Sequence, residues 1–171
     1  METVEAGRTR ESMMEIEVTV NGRRHRLRIE PSELLIDTLR DGLGLTGTKR
    51  SCDVQVCGAC TVLVNGAQVS ACTYLTYEAR GKEVLTIEGL ARGDTLHPIQ
   101  QAFIDHAALQ CGFCTPGMIL AATALLRTTS RPTVEEIKHY MRGNICRCTG
   151  YKKILEAIQA AAEVMAREGA Q

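Results

Sequence analysis

The chain has 171 residues, enough for one medium domain or two small ones. Its 20 basic and 20 acidic residues balance, which gives no electrostatic reason to expect nucleic acid or an anionic membrane as partner. Eight cysteines without an apolar export signal favour metal ligation over disulfides and a reducing, cytoplasmic compartment. No apolar run approaches the length of a membrane span. Residues 1–13 predict a disordered tail.

The first quarter of the chain predicts a β-hairpin followed by a helix. Residues 14–30 alternate apolar and polar side chains on either side of Asn21-Gly22, which is a typical hairpin turn. Pro31-Ser32-Glu33 then favours the start of a helix with Ser32 as its N-cap.

Three more strands are expected after this helix. Residues 61–64 and 67–71 flank a second Asn-Gly turn, and residues 83–87 form the last β-rich run. A hairpin, a helix and further strands over residues 14–87 indicate a small α+β domain with a mixed sheet.

The character of the chain changes after Ile87. A polar, glycine-bearing linker leads to four segments with helical periodicity, so residues 88–171 predict a four-helix domain. Pro116 suits a first helical turn, and Thr133 with Glu136 is typical of a capping box. The predicted helices cover residues 97–108, 116–128, 133–142 and 151–167.

Four cysteines of the first domain have the spacing of an iron–sulfur site. Cys52, Cys57 and Cys60 follow a C-x₄-C-x₂-C pattern, and Cys72 follows the next strand, as in a plant-type [2Fe–2S] site. Three thiolates at these spacings would diverge on a helix, so the segment must be irregular in order to bring them to one cluster. Gly58 suits such a loop because it lets the backbone approach closely.

The second four cysteines lie in the helical half. Cys111 and Cys114 fall between the first two predicted helices, and Cys146 and Cys148 fall between the last two. Antiparallel packing can bring both loops to one end of a bundle. Taken alone, this second set could also bind zinc.

Structural cysteines and a zinc site that draws on both sets fit the pattern less well. Buried structural cysteines have no reason to collect in glycine-rich loops, and a zinc site pairing Cys57-x₂-Cys60 with Cys111-x₂-Cys114 would leave four cysteines unused. The histidines are scattered and fit surface or capping positions better than ligand positions. They are His25, His97, His106 and His139.

Together these patterns resemble the iron–sulfur subunit of molybdenum hydroxylases, the family of xanthine dehydrogenase, aldehyde oxidoreductase and carbon monoxide dehydrogenase. The resemblance covers roughly residues 14–165. The matching stretches are residues 48–62, from Thr48-Lys49 through Cys60-Thr61-Val62, then QCGFCTPG at 110–117 and NICRCTGY at 144–151. One departure is Ser51, which stands where the family commonly has glycine. It bears on the local backbone and hence on the potential of the first cluster.

The resemblance implies a β-grasp, plant-ferredoxin-like first domain, a four-helix-bundle second domain and a [2Fe–2S] cluster in each. It places Gln110 and Cys148 near a molybdopterin cofactor held by a large partner subunit. The cluster of Cys52, Cys57, Cys60 and Cys72 would face the FAD of a medium partner subunit. A dimer of heterotrimers is implied as the assembly.

The sequence therefore predicts an electron-transfer subunit that carries electrons from molybdopterin through two clusters toward FAD, and that binds no substrate itself. The chain has no glycine-rich dinucleotide fingerprint of its own. Two alternatives stay open at this point. One is a free-standing ferredoxin-like carrier, and the second is a zinc-bound structural module.

Overall fold

A computed structural model describes residues 13–168, so the predicted tail lies outside the described residues except for Met13. The chain begins with an antiparallel hairpin of strands β1 (Met14–Val20) and β2 (Arg23–Ile29). Its turn residues Asn21 and Gly22 have φ values of 50° and 76°. Positive φ at both positions is what a two-residue hairpin with the strand twist requires, so the predicted hairpin is confirmed.

The helix after the hairpin begins later than predicted. Helix α1 (Leu35–Asp37) continues as one wider turn over Thr38–Gly42, and Leu34 occupies the N-cap position without a side-chain hydrogen bond. The prediction of Ser32 as the cap is therefore wrong. The reason is tertiary: Leu34 is held extended by an antiparallel bridge to Leu75, which delays the helix.

The remaining strands complete a mixed five-stranded sheet. They are β3 (Thr61–Val64), β4 (Ala67–Ser70) and β5 (Glu83–Leu85), in the spatial order β2-β1-β5-β3-β4. Strand β5 runs parallel to β1 and antiparallel to β3. It ends before the predicted residue 87, because the backbone N–H of Thr86 donates to the Asn21 side chain instead of to a strand.

Four helices follow, as expected, although their bounds differ by a few residues. His97 caps the first of these helices, and the Gln100 side chain accepts a hydrogen bond from the His97 N–H at 3.0 Å. Ala107 has a φ of 50°, which ends this helix earlier than predicted. The helices are α2 (Pro98–Asp105), α3 (Thr115–Thr128), α4 (Val134–Met141) and α5 (Lys152–Glu168).

Each half of the chain has its own apolar core. The sheet packs over α1 around buried residues such as Leu35 and Val62, and the four helices enclose residues such as Phe103 and Ile158. A third, small cluster joins the halves where α3 packs on β3. It consists of Leu63, Leu120 and Ala124.

A helix that crosses a bilayer must be long enough and apolar enough to span its hydrocarbon core. No helix within residues 13–168 has both the length and the apolar content needed to cross one.

The capping box of α4 allows a stability test. The Thr133 hydroxyl accepts from the Glu136 N–H at 3.2 Å, and the Glu136 carboxylate accepts from the Thr133 N–H at 2.7 Å. We expect Thr133→Ala to destabilise the protein by about 1 kcal/mol, which lowers Tm by about 2–4 °C for a chain of this size. Circular dichroism melting measures this shift. Thr129→Ala, at the end of α3, is the control, and an equal Tm for both variants would contradict the expected role of the cap.

Candidate functional site

The first cysteine set occupies an irregular segment and an adjacent turn. Cys52, Cys57 and Cys60 lie between the wide turn that ends at Gly42 and strand β3, while Cys72 lies just after β4. Cys60 and Cys72 are buried, and Cys52 and Cys57 are half-buried. The set therefore has one side in the core and one side near solvent.

Backbone N–H groups surround the outer thiol of this set. The N–H groups of Val56 and Cys57 each donate to Cys52 Sγ at 3.4 Å. The loop turns in this way because Asp53 and Gln55 adopt positive φ values of 55° and 58°. Hydrogen bonds from Val54, Cys57 and Val56 lower the pKa of the Cys52 thiol to about 6. The loop thus favours a thiolate at this position.

The inner thiols of the first set have the opposite environment. Burial raises the pKa of the Cys60 thiol to about 12, and the neighbouring Cys72 thiol adds to the effect of burial. A bound cation would compensate the missing solvation, since a coordinated thiol is deprotonated by the metal charge. Ser51 is not among the residues with positive φ, so its side chain is compatible with the local backbone.

The second cysteine set is formed by two interhelical loops that meet. Cys111 and Cys114 precede α3, with Cys114 at its N-cap position, and Cys146 and Cys148 lie between α4 and α5. The Sγ atoms of Cys111 and Cys148 are 3.6 Å apart, and both residues are exposed. The expectation that packing brings the two loops to one place is therefore met.

In the inner pair of the second set, Cys114 and Cys146, the pKa of one thiol is raised and the pKa of the second is lowered. Burial raises the pKa of the Cys114 thiol to about 12, with a contribution from the adjacent Cys146 thiol. For Cys146 burial also acts against ionisation, but the hydroxyl and N–H of Thr149 donate to its Sγ at 3.1 and 3.4 Å and lower its pKa overall. In the outer pair, Cys111 and Cys148, a hydrogen bond with the Cys111 thiol raises the pKa of the Cys148 thiol.

The thiols are arranged in pairs. Hydrogen bonds between thiols join Cys52 to Cys57 and Cys60 to Cys72 in the first set, and Cys111 to Cys148 and Cys114 to Cys146 in the second. Electrostatic interactions also link the pairs within each set, between Cys57 and Cys60, Cys111 and Cys114, and Cys146 and Cys148. Within residues 13–168, no group of three or more His, Cys, Asp or Glu side chains is placed to hold one metal ion. A [2Fe–2S] cluster takes four thiolates, two on each iron, so the paired arrangement suits it better than the single tetrahedron of zinc.

Gln110 and the four histidines complete the set of residues considered from the sequence. Gln110 is exposed beside Cys111, which carries its thiol next to that of Cys148. His97 is a helix cap, in line with the prediction for the histidines. His25 lies on β2, His106 ends α2 and His139 lies on α4, all outside the cysteine loops.

Sequence reasoning missed the contact between the two cysteine loops. The backbone N–H of Ile145 donates to the carbonyl oxygen of Cys57 at 2.9 Å. The Asn144 side chain, 4 % exposed, donates to the carbonyl oxygen of Gly58 at 3.1 Å. The partners are more than eighty residues apart in the chain, as the separation of 86 positions between Asn144 and Gly58 shows, so no local pattern could have indicated them.

The two halves match two known domain families. Residues 18–91 match the 2Fe-2S iron–sulfur cluster binding domain, and residues 86–159 match the [2Fe-2S] binding domain. The chain therefore contains two different [2Fe–2S] binding domains.

Whole-chain relatives agree with the domain matches. The nicotine 6-hydroxylase small subunit of Paenarthrobacter nicotinovorans is 48% identical over 145 residues, which cover 85% of this chain and 87% of the relative. The xanthine dehydrogenase iron–sulfur-binding subunit of Escherichia coli O157:H7 is 46% identical over 145 residues, covering 84% and 91%.

A solved structure has the same fold. The crystal structure of quinoline 2-oxidoreductase from Pseudomonas putida 86 superposes with a TM-score of 0.88 at 44% identity, covering 91% of this chain and 98% of that chain. With two [2Fe–2S] binding domains in this order and relatives of matching length, the chain belongs to the iron–sulfur, electron-transfer subunits of the molybdenum hydroxylase family.

Proposed function

We propose that each cysteine set of this subunit holds one [2Fe–2S] cluster and that electrons pass between the sets at the contact of the two loops. The ligands of the first cluster would be Cys52, Cys57, Cys60 and Cys72. The ligands of the second cluster would be Cys111, Cys114, Cys146 and Cys148. When bound, each cluster supplies one-electron redox chemistry, and the chain sets its potential through hydrogen bonds, burial and charge.

The hydrogen bond from the Ile145 N–H to the Cys57 carbonyl is the observation that carries this proposal. Cys57 belongs to the first set, and Ile145 directly precedes Cys146 of the second set. A path from one set to the second therefore follows covalent bonds apart from a single hydrogen bond of 2.9 Å. A route that avoids gaps through space favours electron transfer between the two centres.

The exposed face of the second set is the proposed contact with a large, molybdopterin-binding subunit. Cys111 and Cys148 are exposed there, and Gln110 lies beside them. Large apolar side chains on the same loops are also exposed, including Phe113 and Ile145, each at 46 %. Exposed apolar groups around a redox site are typical of a protein interface. Gln110 and Cys148 would lie nearest the molybdopterin.

The outer side of the first set is the proposed contact with a medium, FAD-binding subunit. Val54 and Val56 in this loop are 64 % and 58 % exposed. They form a small apolar surface next to Cys52, on the side proposed to face the FAD. Electrons would then run from the molybdopterin side to the second set, to the first set and on to the flavin. A dimer of such heterotrimers in the cytoplasm completes the proposed assembly.

We also propose a β-grasp fold for the first domain and a four-helix bundle for the second. The mixed sheet with parallel β1 and β5 suits a β-grasp domain over residues 14–87. Helices α2 to α5 contact one another in a closed ring of α2–α3, α3–α4, α4–α5 and α5–α2, which suits a four-helix bundle over the described part of the predicted domain 88–171.

A free-standing carrier and a zinc module are not favoured. A carrier would have to keep the apolar groups at both cysteine loops in water, and the relatives of matching length are subunits. A zinc module is disfavoured by the paired thiols and by the two [2Fe–2S] domain matches.

The cluster assignment is tested by metal analysis and low-temperature EPR on the dithionite-reduced subunit in its complex. We expect about four irons per chain and two distinguishable S = 1/2 signals, since each [2Fe–2S] centre contains two irons. Cys60→Ala should abolish one signal and Cys114→Ala should abolish the second, so that each variant is the control for its counterpart. A variant of either set that left both signals in place would contradict the ligand assignment.

The thiol environments predict a second, independent result in cluster-free protein. Cys52, with a pKa of about 6, should react with iodoacetamide at neutral pH well before Cys60 and Cys114, whose pKa values are about 12. The folded-state pKa of Cys52 is below its unfolded value, so the thiolate stabilises the fold at alkaline pH and this contribution is lost as pH falls through about 6. Peptide mass spectrometry measures the order of labelling. In urea the preference should disappear, and a preference that persisted there would assign it to local sequence instead of the folded loop.

A further inference from the structure

We infer that Asn144 is a positioning residue for electron transfer, which fixes the first cysteine loop against the second and thereby sets the coupling between the two clusters. This inference rests on the proposed function. It goes beyond that function because it assigns a role to a side chain that binds neither cluster.

The Asn144 amide joins two groups of the first loop. Its Nδ2 donates to the carbonyl oxygen of Gly58 at 3.1 Å and lies 3.3 Å from the hydroxyl of Thr61. Asn144 is only 4 % exposed, and Thr61 is 5 % exposed. A buried amide with two partners is held in one orientation, because turning away from both would leave its N–H groups unsatisfied away from water.

Close packing also fixes the position of the Gly58 backbone, against residues 143–144 and against Gly117. A Cβ atom on Gly58 would come within 2.5 Å of both Asn144 Nδ2 and the carbonyl oxygen of Gly143. A Cβ atom on Gly117, in the first turn of α3, would overlap the Gly58 carbonyl oxygen. Gly58 also has a φ of +67°, which glycine adopts without strain. The loop can approach the helical half this closely only because both positions lack side chains.

All of these groups are close in sequence to proposed ligands. Gly58 follows Cys57 directly, Asn144 lies two residues before Cys146, and Gly117 lies three residues after Cys114. The contact therefore joins the backbone next to one ligand set to the backbone next to the second. A shift of Gly58 away from Asn144 would lengthen the Ile145–Cys57 hydrogen bond as well.

The two halves of the chain have a contact that does not depend on Asn144. An apolar contact of Leu63 on β3 with Leu120 and Ala124 on α3 joins the halves independently. Removing the Asn144 amide should thus leave a folded, loaded subunit in which only the junction between the cysteine loops is loosened. This expectation separates a positioning role from a structural one.

The test compares wild type with Asn144→Leu in the intact complex. Leucine has the same number of side-chain heavy atoms and the same branching as asparagine, so the variant keeps the shape of the side chain, with larger methyl groups in place of the amide atoms, and removes its hydrogen bonds. We expect both clusters to be retained, while the magnetic interaction between the two reduced clusters weakens and electron transfer between them slows several-fold. Low-temperature EPR measures the interaction, and stopped-flow absorption measures the rate.

A smaller replacement and a matched control accompany this variant. Asn144→Ser also removes the amide but leaves a shorter side chain. Asn21→Gly is the matched control, because the Asn21 amide also makes two hydrogen bonds at 2.9 Å, both to Thr86 and both remote from the cysteine loops, and glycine adopts the positive φ of this turn position without strain. The control should leave the cluster interaction and the rate at their wild-type values.

The outcomes distinguish a failure of this inference from a failure of the proposed function. Wild type with only one cluster signal would contradict the proposed function itself. Wild type with two signals and an Asn144→Leu variant whose interaction and rate are unchanged would overturn only the role of Asn144. Loss of a cluster in both Asn144 variants would assign the residue to folding, and an equal effect of Asn21→Gly would make the change nonspecific. Either result overturns the inference.

Discussion

The structure depends on how closely one backbone carbonyl approaches a helix. The Gly58 carbonyl lies against the first turn of α3 at Gly117 and accepts a hydrogen bond from Asn144. A side chain on either glycine would force the two halves of the chain apart at this point. Because the approach happens within three residues of cysteines from both sets, the two sites come together at the junction of the domains. Their relative position thus depends on this backbone approach and on the Asn144 side chain that holds it.

Each cysteine set combines a thiol stabilised by hydrogen bonds with a thiol that is poorly solvated. Cys52 has backbone N–H donors around it, whereas Cys60 is buried among apolar groups. In the second set Cys146 has the Thr149 donors, and Cys114 has the poorly solvated position. N–H and O–H donors to sulfur favour the more reduced, more negative state of a centre, while burial opposes added charge. The chain therefore has separate means of adjusting the potential of each site.

Apolar contacts within the halves and between them have separate roles. Two cores stabilise the sheet and the helices separately, and the small cluster around Leu63 joins them. The domain matches overlap only over residues 86–91, where β5 has ended and a short helical turn begins. The outer surfaces of the cysteine loops carry exposed apolar groups, so the faces proposed for partners are also the faces nearest the redox sites.

The sequence by itself determined much of the local structure, and it predicted the division of the cysteines into two sets. The Asn21-Gly22 turn, Pro116 in a first helical turn and the Thr133 capping box were predictable, because each depends on the conformations available to neighbouring residues. Ser32 failed as a helix cap, because the distant Leu75 bridges Leu34 and outweighs the local preference. A local capping preference was therefore misleading at this position, because a strand-like contact with a distant residue competed with it.

Only the tertiary structure decided which thiols pair, which of them are buried and how the two sets are joined. Asn144 and Gly58 are separated by 86 positions, and their contact depends on the packing of α3 against β3. Spacing along the chain reports which residues a single loop can bring together. It does not indicate how closely two loops from different domains approach each other. That distance depends on the side chains buried between the domains and on the close approach that glycine allows because it has no side chain.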